Sequence, residues 1–317
     1  MYKTSSPVLL ILFNRPEQSA KVYEAIRKVQ PRKLYLAIDA PRHGRDGEAQ
    51  KCELVLNIFT NIDWPCEVYR KIQKQNIGCD VNVVTAVDWL FENEESGIVL
   101  EDDCIPNESF FRYCDELLKR YEHNKRIMWI NGSNNGYACK KNDPSYMYSI
   151  YAQSSGWATW RRAWNIFQGE SRVSLVDGIS KTLLKRYIKE SYLTRVFWLN
   201  SFRYGYVTRA WDFKWLYNVW KNDGLACTPS KNLVSNIGFG IESYHGWSHN
   251  DARGHLPTEE LHWDLTRPNV MEPSALLDAY ISKTFYRVSV YTIIKTYIAS
   301  RFPFIRKAIR MVRNKSH

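Results

Sequence analysis

Three consecutive carboxylates, Glu101-Asp102-Asp103, follow directly on a short apolar run, Gly97 to Leu100. So much negative charge at one point is costly unless something positive answers it. A hard divalent cation that shares phosphate oxygens supplies that charge. On an extended backbone Glu101 and Asp103 project to one side and Asp102 to the other. One carboxylate could then take a metal while another accepts from a ribose hydroxyl; an ordinary solvated acidic turn is the alternative. A fourth acid, Asp212, sits among aromatics in Trp211-Asp212-Phe213-Lys214-Trp215. That apolar setting suits a general base, and equally a residue that opens a helix. Asp39 ends a strand-like run and could accept from a base or ribose, or cap a turn. Arg15 offers a phosphate or base contact, or a surface charge. His245 and His249 lie in a Gly- and Ser-rich loop, Leu233 to Ser248. Such a loop can close over a diphosphate or add a metal ligand; most surface histidines do neither.

These residues need a frame, and the first half of the chain supplies one. Val8 to Phe13 is a continuous apolar run, as in a parallel strand buried on both faces. Pro16 opens a helix to about Val29, with Val22, Ala25, Ile26 and Val29 at helical spacing. Lys33 to Ile38 is a second strand, Glu48 to Ile62 a helix, and Glu67 to Ile72 a third strand. The turn Asn76-Ile77-Gly78 leads into a helix over Val81 to Asn93, and Gly97 to Leu100 is a fourth strand. This alternation predicts a mostly parallel sheet with right-handed crossovers. Ligands of such sheets bind at the carboxyl ends of the strands, so Arg15, Asp39 and the acidic triplet should meet there. The second half is less regular. Phe110 to Tyr121, Leu183 to Tyr204 and Asp212 to Asn222 are expected helices, and Ile127 to Ile130 a strand.

Composition narrows the partners. The 317-residue chain carries a net charge of +11, which suits nucleic acid, an acidic membrane surface or an anionic ligand. It has no zinc-finger spacing or RRM-type motif, so nucleic acid is not expected. From Lys283 onward there are Lys and Arg but no Asp or Glu, a pattern that favours a membrane surface. At helical spacing, Ala279 to Arg313 would be apolar on one side and basic on the other; a helix packed on the body with its basic side in solvent is the alternative. The 12 Trp and 20 Tyr fit core packing or a sugar-binding surface. The seven cysteines form no C-x-x-C pair, which speaks against a zinc or redox site and for reduced thiols. The apolar run at the start is too short for a signal peptide, and no stretch approaches a membrane span.

Several segments together resemble nucleotide-diphospho-sugar transferases of the GT-A fold, in particular the N-acetylglucosaminyltransferase I type and bacterial relatives of unassigned specificity. PVLLILFNRP looks like that family's first strand and nucleotide-contacting arginine, here Arg15. LYLAIDAPR resembles the second strand with its base-contacting Asp, here Asp39. QNIGCDVNVVTAVDWLF resembles the Asn-x-Gly turn, with Asn76, and the helix after it. GIVLEDDCIPNESFF resembles the Glu-Asp-Asp segment, which implies Mn²⁺ or Mg²⁺ on Asp103 and donor ribose and sugar on Glu101 and Asp102. SSGWATWRRAW looks like the Gly-Trp segment at the donor and acceptor site, which implies Trp157 and Trp160 beside the sugars. RAWDFKW resembles a Trp-Asp-Asp-Trp stretch with the catalytic base, but Phe213 and Lys214 stand where more acid is expected, leaving Asp212. SNIGFGIESYHGWSH resembles the loop that orders over the diphosphate, which implies a phosphate or metal contact for His245.

The resemblance implies a Rossmann-like GT-A domain over residues 1–275, with a nucleotide-binding half to about 130 and an acceptor half beyond it. Residues 276–317 would form a basic amphipathic helical tail. The implied activity is a metal-dependent, inverting hexosyl- or N-acetylhexosaminyltransferase. Its donor would be a UDP-sugar and its acceptor a saccharide or lipid-linked oligosaccharide, in cell-surface polysaccharide synthesis. The expected location is the cytoplasm, peripherally on the inner face of the membrane. Two rivals remain. A sugar-nucleotide pyrophosphorylase usually carries a Gly-rich segment and Arg after its first strand, where this chain has Asn14-Arg15-Pro16. A non-catalytic nucleotide-sugar or glycan-binding protein would keep the fold and lose the base.

Overall fold

The computed structural model describes residues 2–170, 181–189, 191–208, 210–240 and 251–302. In chain order the first half runs β1 (Val8–Leu12), α1 (Pro16–Val29), β2 (Lys33–Ile38), α2 (Glu48–Ile58), β3 (Glu67–Ile72), α3 (Cys79–Asn93), β4 (Ser96–Glu101), β5 (Cys104–Pro106) and α4 (Glu108–Arg120). The second half runs β6 (Ile127–Asn131), β7 (Tyr146–Ser149), β8 (Trp157–Trp160), α5 (Arg161–Glu170), α6 (Lys181–Tyr187), α7 (Tyr192–Thr208), α8 (Trp211–Lys221), β9 (Leu225–Pro229), β10 (Val234–Asn236), α9 (Ala275–Thr284) and α10 (Val290–Arg301).

Among the described residues, eight strands form one sheet in the order β3-β2-β1-β4-β8-β6-β9-β7. β1 pairs in parallel with β2 and β4, and β2 with β3. β8 is antiparallel to both β4 and β6, while β6 and β9 are parallel. The result is a mixed α/β protein with a mainly parallel, Rossmann-like central sheet flanked by helices. The apolar run Val8–Leu12 is wholly buried, as a central parallel strand requires. Pro16 starts α1 and buries Val22, Ile26 and Val29 on one side; Gln30 ends it in the left-handed region at φ 43°.

The second half departs from the expected pattern in three ways. Leu183 to Tyr204, expected as one helix, is split into α6 and α7. Strands β5, β7, β8, β9 and β10 are not expected from the sequence: they are three to five residues long and, unlike the equally short β1 and β6, lack an unbroken aliphatic run. The tail expected from residue 276 begins inside the body. Leu277 and Ile281 of α9 are fully buried, and Asp278 accepts from Ser149 Oγ at 2.6 Å.

The second half is held together by aromatics. Trp129 of β6 stacks on Trp157 of β8 with centroids 3.8 Å apart, and Trp164, Trp211 and Trp215 close around them. A second, two-stranded sheet joins β5 to β10, with Asn236 opposite Cys104. It lies immediately after the acidic triplet and brings the chain beyond residue 236 back against it.

Candidate functional site

Four chain segments converge at the carboxyl edge of the parallel strands. Beyond β1, Asn14 is anchored by its Nδ2, which donates to the buried Glu48 at 2.9 Å. The next residue, Arg15, reaches across to the end of β4. Its Nη1 donates to Asp102 Oδ1 at 3.1 Å and to Asp103 Oδ2 at 2.8 Å. Asp102 also accepts from the Phe13 backbone N–H. Burial pushes the Glu101 and Asp102 carboxyls well up; neighbouring acids add to that push, and Arg15 opposes it. Burial alone would disfavour the Arg15 charge, but Asp102 and Asp103 more than offset it and hold the guanidinium firmly protonated.

A glycine completes this corner. Ile237 N donates to Asp103 O at 2.8 Å, and Gly238 N to Asn236 Oδ1 at 2.8 Å. A Cβ on Gly238 would lie 1.9 Å from Asp103 Oδ2. Only glycine leaves room for the carboxylate in its present position.

Two helix starts lie beside this corner. Asp80, in the first turn of α3, accepts from Trp211 N at 3.3 Å and thereby ties α3 to the start of α8. Asp212 follows. It is open to solvent at the surface, yet enclosed on enough sides that burial pushes its carboxyl up to about 6, with the Phe213 N–H opposing and Asp80 adding. The charge of Asp212 also adds to the upward push on Glu101. Asp80 was not singled out in the sequence, where it reads as an ordinary first-turn acid.

Asp39 and Asn76 are close by but face each other. Asp39 accepts from Ala40 N, Ile77 N, Asn76 Nδ2 and Gly78 N at 2.9 to 3.1 Å. A carboxylate has about four acceptor positions, so its bonds go to the loop that sets the start of α3. Asp39 thus has a framing role beside the expected base contact, and Asn76 shares it through a second bond to Ala40 O.

Trp157 and Trp160 are corrections. Both were expected beside the sugars. Trp157 is 0% exposed and Trp160 2% exposed. Trp157 lies inside the tryptophan stack, and Trp160 pairs with Ser96 at the far end of β4, its Nε1 bonded to Leu118 O. Four residues of extended strand separate the two edges of the sheet, and WATW runs toward the wrong one. A hollow at that amino edge, bordered by Ser6, Glu95, Asp115, His123 and Trp160, contains none of the acids above. Its Asp115 is consumed by Tyr2, Thr4 and the Ser5 and Ser6 N–H groups. His245 and His249 lie outside the described residues.

The triplet fits a hard cation in donor chemistry: oxygen ligands, and more negative charge than Arg15 alone neutralises. Among the described residues no three His, Cys, Asp or Glu side chains are arranged to hold a metal by themselves. A cation at this corner would need further oxygens from a bound ligand.

No family model and no curated protein matches the chain. Among solved structures it is similar to HddC from Yersinia pseudotuberculosis, at 7% identity over 50% of this chain and 77% of that one, with a TM-score of 0.30. It is also similar to a UDP-glucose pyrophosphorylase complexed with UDP-glucose, at 11% identity over 52% and 79%, with a TM-score of 0.28. A third is a glucose-1-phosphate thymidylyltransferase from Bacillus anthracis in complex with a sucrose, at 8% over 58% and 83%, with a TM-score of 0.31. Likeness at this level leaves the chemistry to be argued from the site's own residues.

Proposed function

We propose that the chain is a glycosyltransferase that moves a sugar from a nucleotide-diphosphate donor, a UDP-sugar, to a hydroxyl of a saccharide or lipid-linked oligosaccharide. The observation that supports the proposal is the carboxyl-edge corner in which Arg15 bridges Asp102 and Asp103, with Asp212 beside it at the start of α8, which Asp80 ties to α3. In this scheme Asp103 holds a divalent cation, Mn²⁺ or Mg²⁺, which would supply positive charge to the leaving diphosphate. Arg15 orients the acidic corner and faces the phosphates. Glu101 and Asp102 accept from donor hydroxyls, and Asp39 with Asn76 fixes the loop beneath. Asp212 takes the proton from the acceptor hydroxyl as its oxygen bonds to the anomeric carbon. The bond from that carbon to the diphosphate oxygen breaks, and the nucleoside diphosphate leaves. One base on one side of the sugar gives inversion.

The rival activity is nucleotidyl transfer by a sugar-nucleotide pyrophosphorylase. That reaction joins a nucleoside triphosphate to a sugar 1-phosphate, releases pyrophosphate and has no acceptor hydroxyl proton to remove. The acids Asp80, Glu101, Asp102, Asp103 and Asp212 with Arg15 and Lys214 suit a cation-bound diphosphate in either reaction, and Asp212 as a spare base is what favours the transferase. The test is thermal stabilisation by a panel of nucleotide diphosphates and nucleotide-sugars, with and without Mn²⁺, in wild type and Asp103→Ala. Saturation at about 100 times Kd stabilises by ~2.7 kcal/mol. A Mn²⁺-dependent shift lost in the variant, with release of nucleoside diphosphate from the donor, is expected. Formation of nucleoside triphosphate from donor plus pyrophosphate would establish the rival instead. Binding without any turnover would leave a binding protein.

A further inference from the structure

α10 is built inside out for a helix in water. It lies along α7, and its inner side presents Ile293, Thr296 and the 8%-exposed Ser300. Its outer side presents Val290, Tyr291, Ile294, Tyr297 and Ile298, with exposures from 42% to 73%. At 100° per residue these five fall within one continuous outward arc. A surface helix normally buries its larger apolar side chains and shows its polar ones. An exposed apolar stripe of this kind marks an interaction surface.

The charge around the stripe identifies the occupant. Lys295 and Arg301 border it on the helix itself, and Arg301 lies over the Tyr297 ring at 5.5 Å. Lys283 precedes it. Arg287 is committed to Asp251 at 2.7 Å. In sequence, Arg306, Lys307, Arg310, Arg313 and Lys315 follow, and no acid occurs from residue 283 to 317. A second copy of the chain, docked by the same stripe, would bring one acid-free basic segment against another, which like-charge repulsion opposes. A negatively charged surface with an apolar interior meets both halves of the pattern. The helix has 12 residues, about 18 Å at 1.5 Å per residue, and no helix among the described residues is long and apolar enough to cross a membrane. It can lie along a bilayer, not through one. The two outward tyrosines have the amphipathic form that settles at headgroup level.

We infer that α10 is an interfacial helix that docks this protein on an anionic lipid bilayer surface. Docking is independent of the reaction assigned to the acidic corner. It also sets that corner's orientation. Tyr286, four residues before α10, packs on Trp198 of α7 with centroids 4.6 Å apart. Its hydroxyl is held protonated first by burial and then by the charge of Asp212. Trp198 also meets the ring of Phe213, the residue after Asp212, with centroids 6.5 Å apart, so the start of α8 lies beside the segment that leads into the docking helix.

The experiment is co-sedimentation of the full chain with phosphatidylcholine vesicles, with or without phosphatidylglycerol. Wild type is expected to partition onto the phosphatidylglycerol vesicles, to be released by salt, and to ignore phosphatidylcholine alone. Ile294→Ser with Tyr297→Ser should cut partitioning by about tenfold or more at unchanged melting temperature, since both side chains already face solvent. Lys295→Glu with Arg301→Glu should abolish the preference for anionic vesicles in the same way. The inference is overturned if wild type fails to bind anionic vesicles or binds both kinds equally. It is also overturned if the folded stripe variant binds undiminished, or if sedimentation velocity without lipid shows a dimer that the stripe variant loses. Failure of nucleotide binding would strike the transferase proposal and leave this result standing.

Discussion

Asp212→Asn separates a catalytic carboxylate from a structural one, because the two make opposite forecasts. Among the described residues the side chain accepts from the adjacent Phe213 N–H, at 2.9 Å, and burial lifts its carboxyl from an ordinary 3.8 to about 6. Between those values the folded protein keeps a proton that the unfolded chain releases. Stability should therefore fall as pH rises from about 4 to about 6 and level off above. A shift of that size would correspond to ~3 kcal/mol for a group sealed from water. Solvent reaches Asp212, so about 1 kcal/mol is the figure to expect after screening. The lost attraction of a charge to the α8 N-terminus removes roughly 0.5 kcal/mol of that. The amide variant should thus melt at or slightly above the wild-type temperature near pH 8. Its kcat should fall by ~10²–10⁴, the contribution of a positioned general base, equal to ~2.7–5.5 kcal/mol of activation free energy. In wild type, log kcat/KM should decline with unit slope below pH about 6. Donor turnover across pH, beside calorimetry of both proteins, makes the check. Unchanged turnover, or a clearly lowered melting temperature at pH 8, would refute the assignment.

Two further outcomes follow from the packing. Gly238→Ala puts a methyl group 1.9 Å from Asp103 Oδ2, so the carboxylate must swing away from Arg15. Calorimetric titration should show weakened Mn²⁺-dependent nucleotide binding, with overpacking costing ~1–3 kcal/mol of stability; wild-type affinity would mean that Asp103 binds from another rotamer. Trp157→Ala should destabilise the fold by ~3–5 kcal/mol in denaturant titration, since Trp157 is fully buried against Trp129 and Trp164; intact stability with lost acceptor affinity would restore the sugar-contact role.

The first half was legible because its elements are long and repeat a single logic. Buried parallel strands give unbroken apolar runs such as VLLIL, and the crossover helices between them show helical spacing. The parallel pairing of β1 to β4 follows from that alternation, and so does the meeting of Arg15 with Asp102 and Asp103. What the sequence could not show was the direction of side chains in short antiparallel pieces. Trp157 and Trp160 sit in a four-residue strand, and the burial of both depends on β8 inserting between β4 and β6, a tertiary choice with no local mark. Asp39 is a different case. An acid at the end of a strand can serve a ligand or a turn, and only the arrival of Ile77 and Gly78 N–H groups decides between them.

Charge separation ties the two ends of the molecule together. A chain with net charge +11 nevertheless brings Glu101, Asp102, Asp103 and Asp212 close enough that their charges act on one another. Arg15 is the cation seated among the triplet. Concentrated negative charge repels an anionic donor unless a cation travels with it, so the corner should favour a metal-complexed diphosphate over a free one. The positive excess lies elsewhere, heavily in the acid-free stretch from Lys283, where α10 turns its apolar side outward. Each end therefore discourages the other's ligand. An anionic lipid headgroup is repelled by the acidic corner and attracted to α10, and a divalent cation the reverse. If both proposals hold, a protein docked on lipid by α10 would keep its acidic corner clear of headgroups and open to a donor arriving from solution.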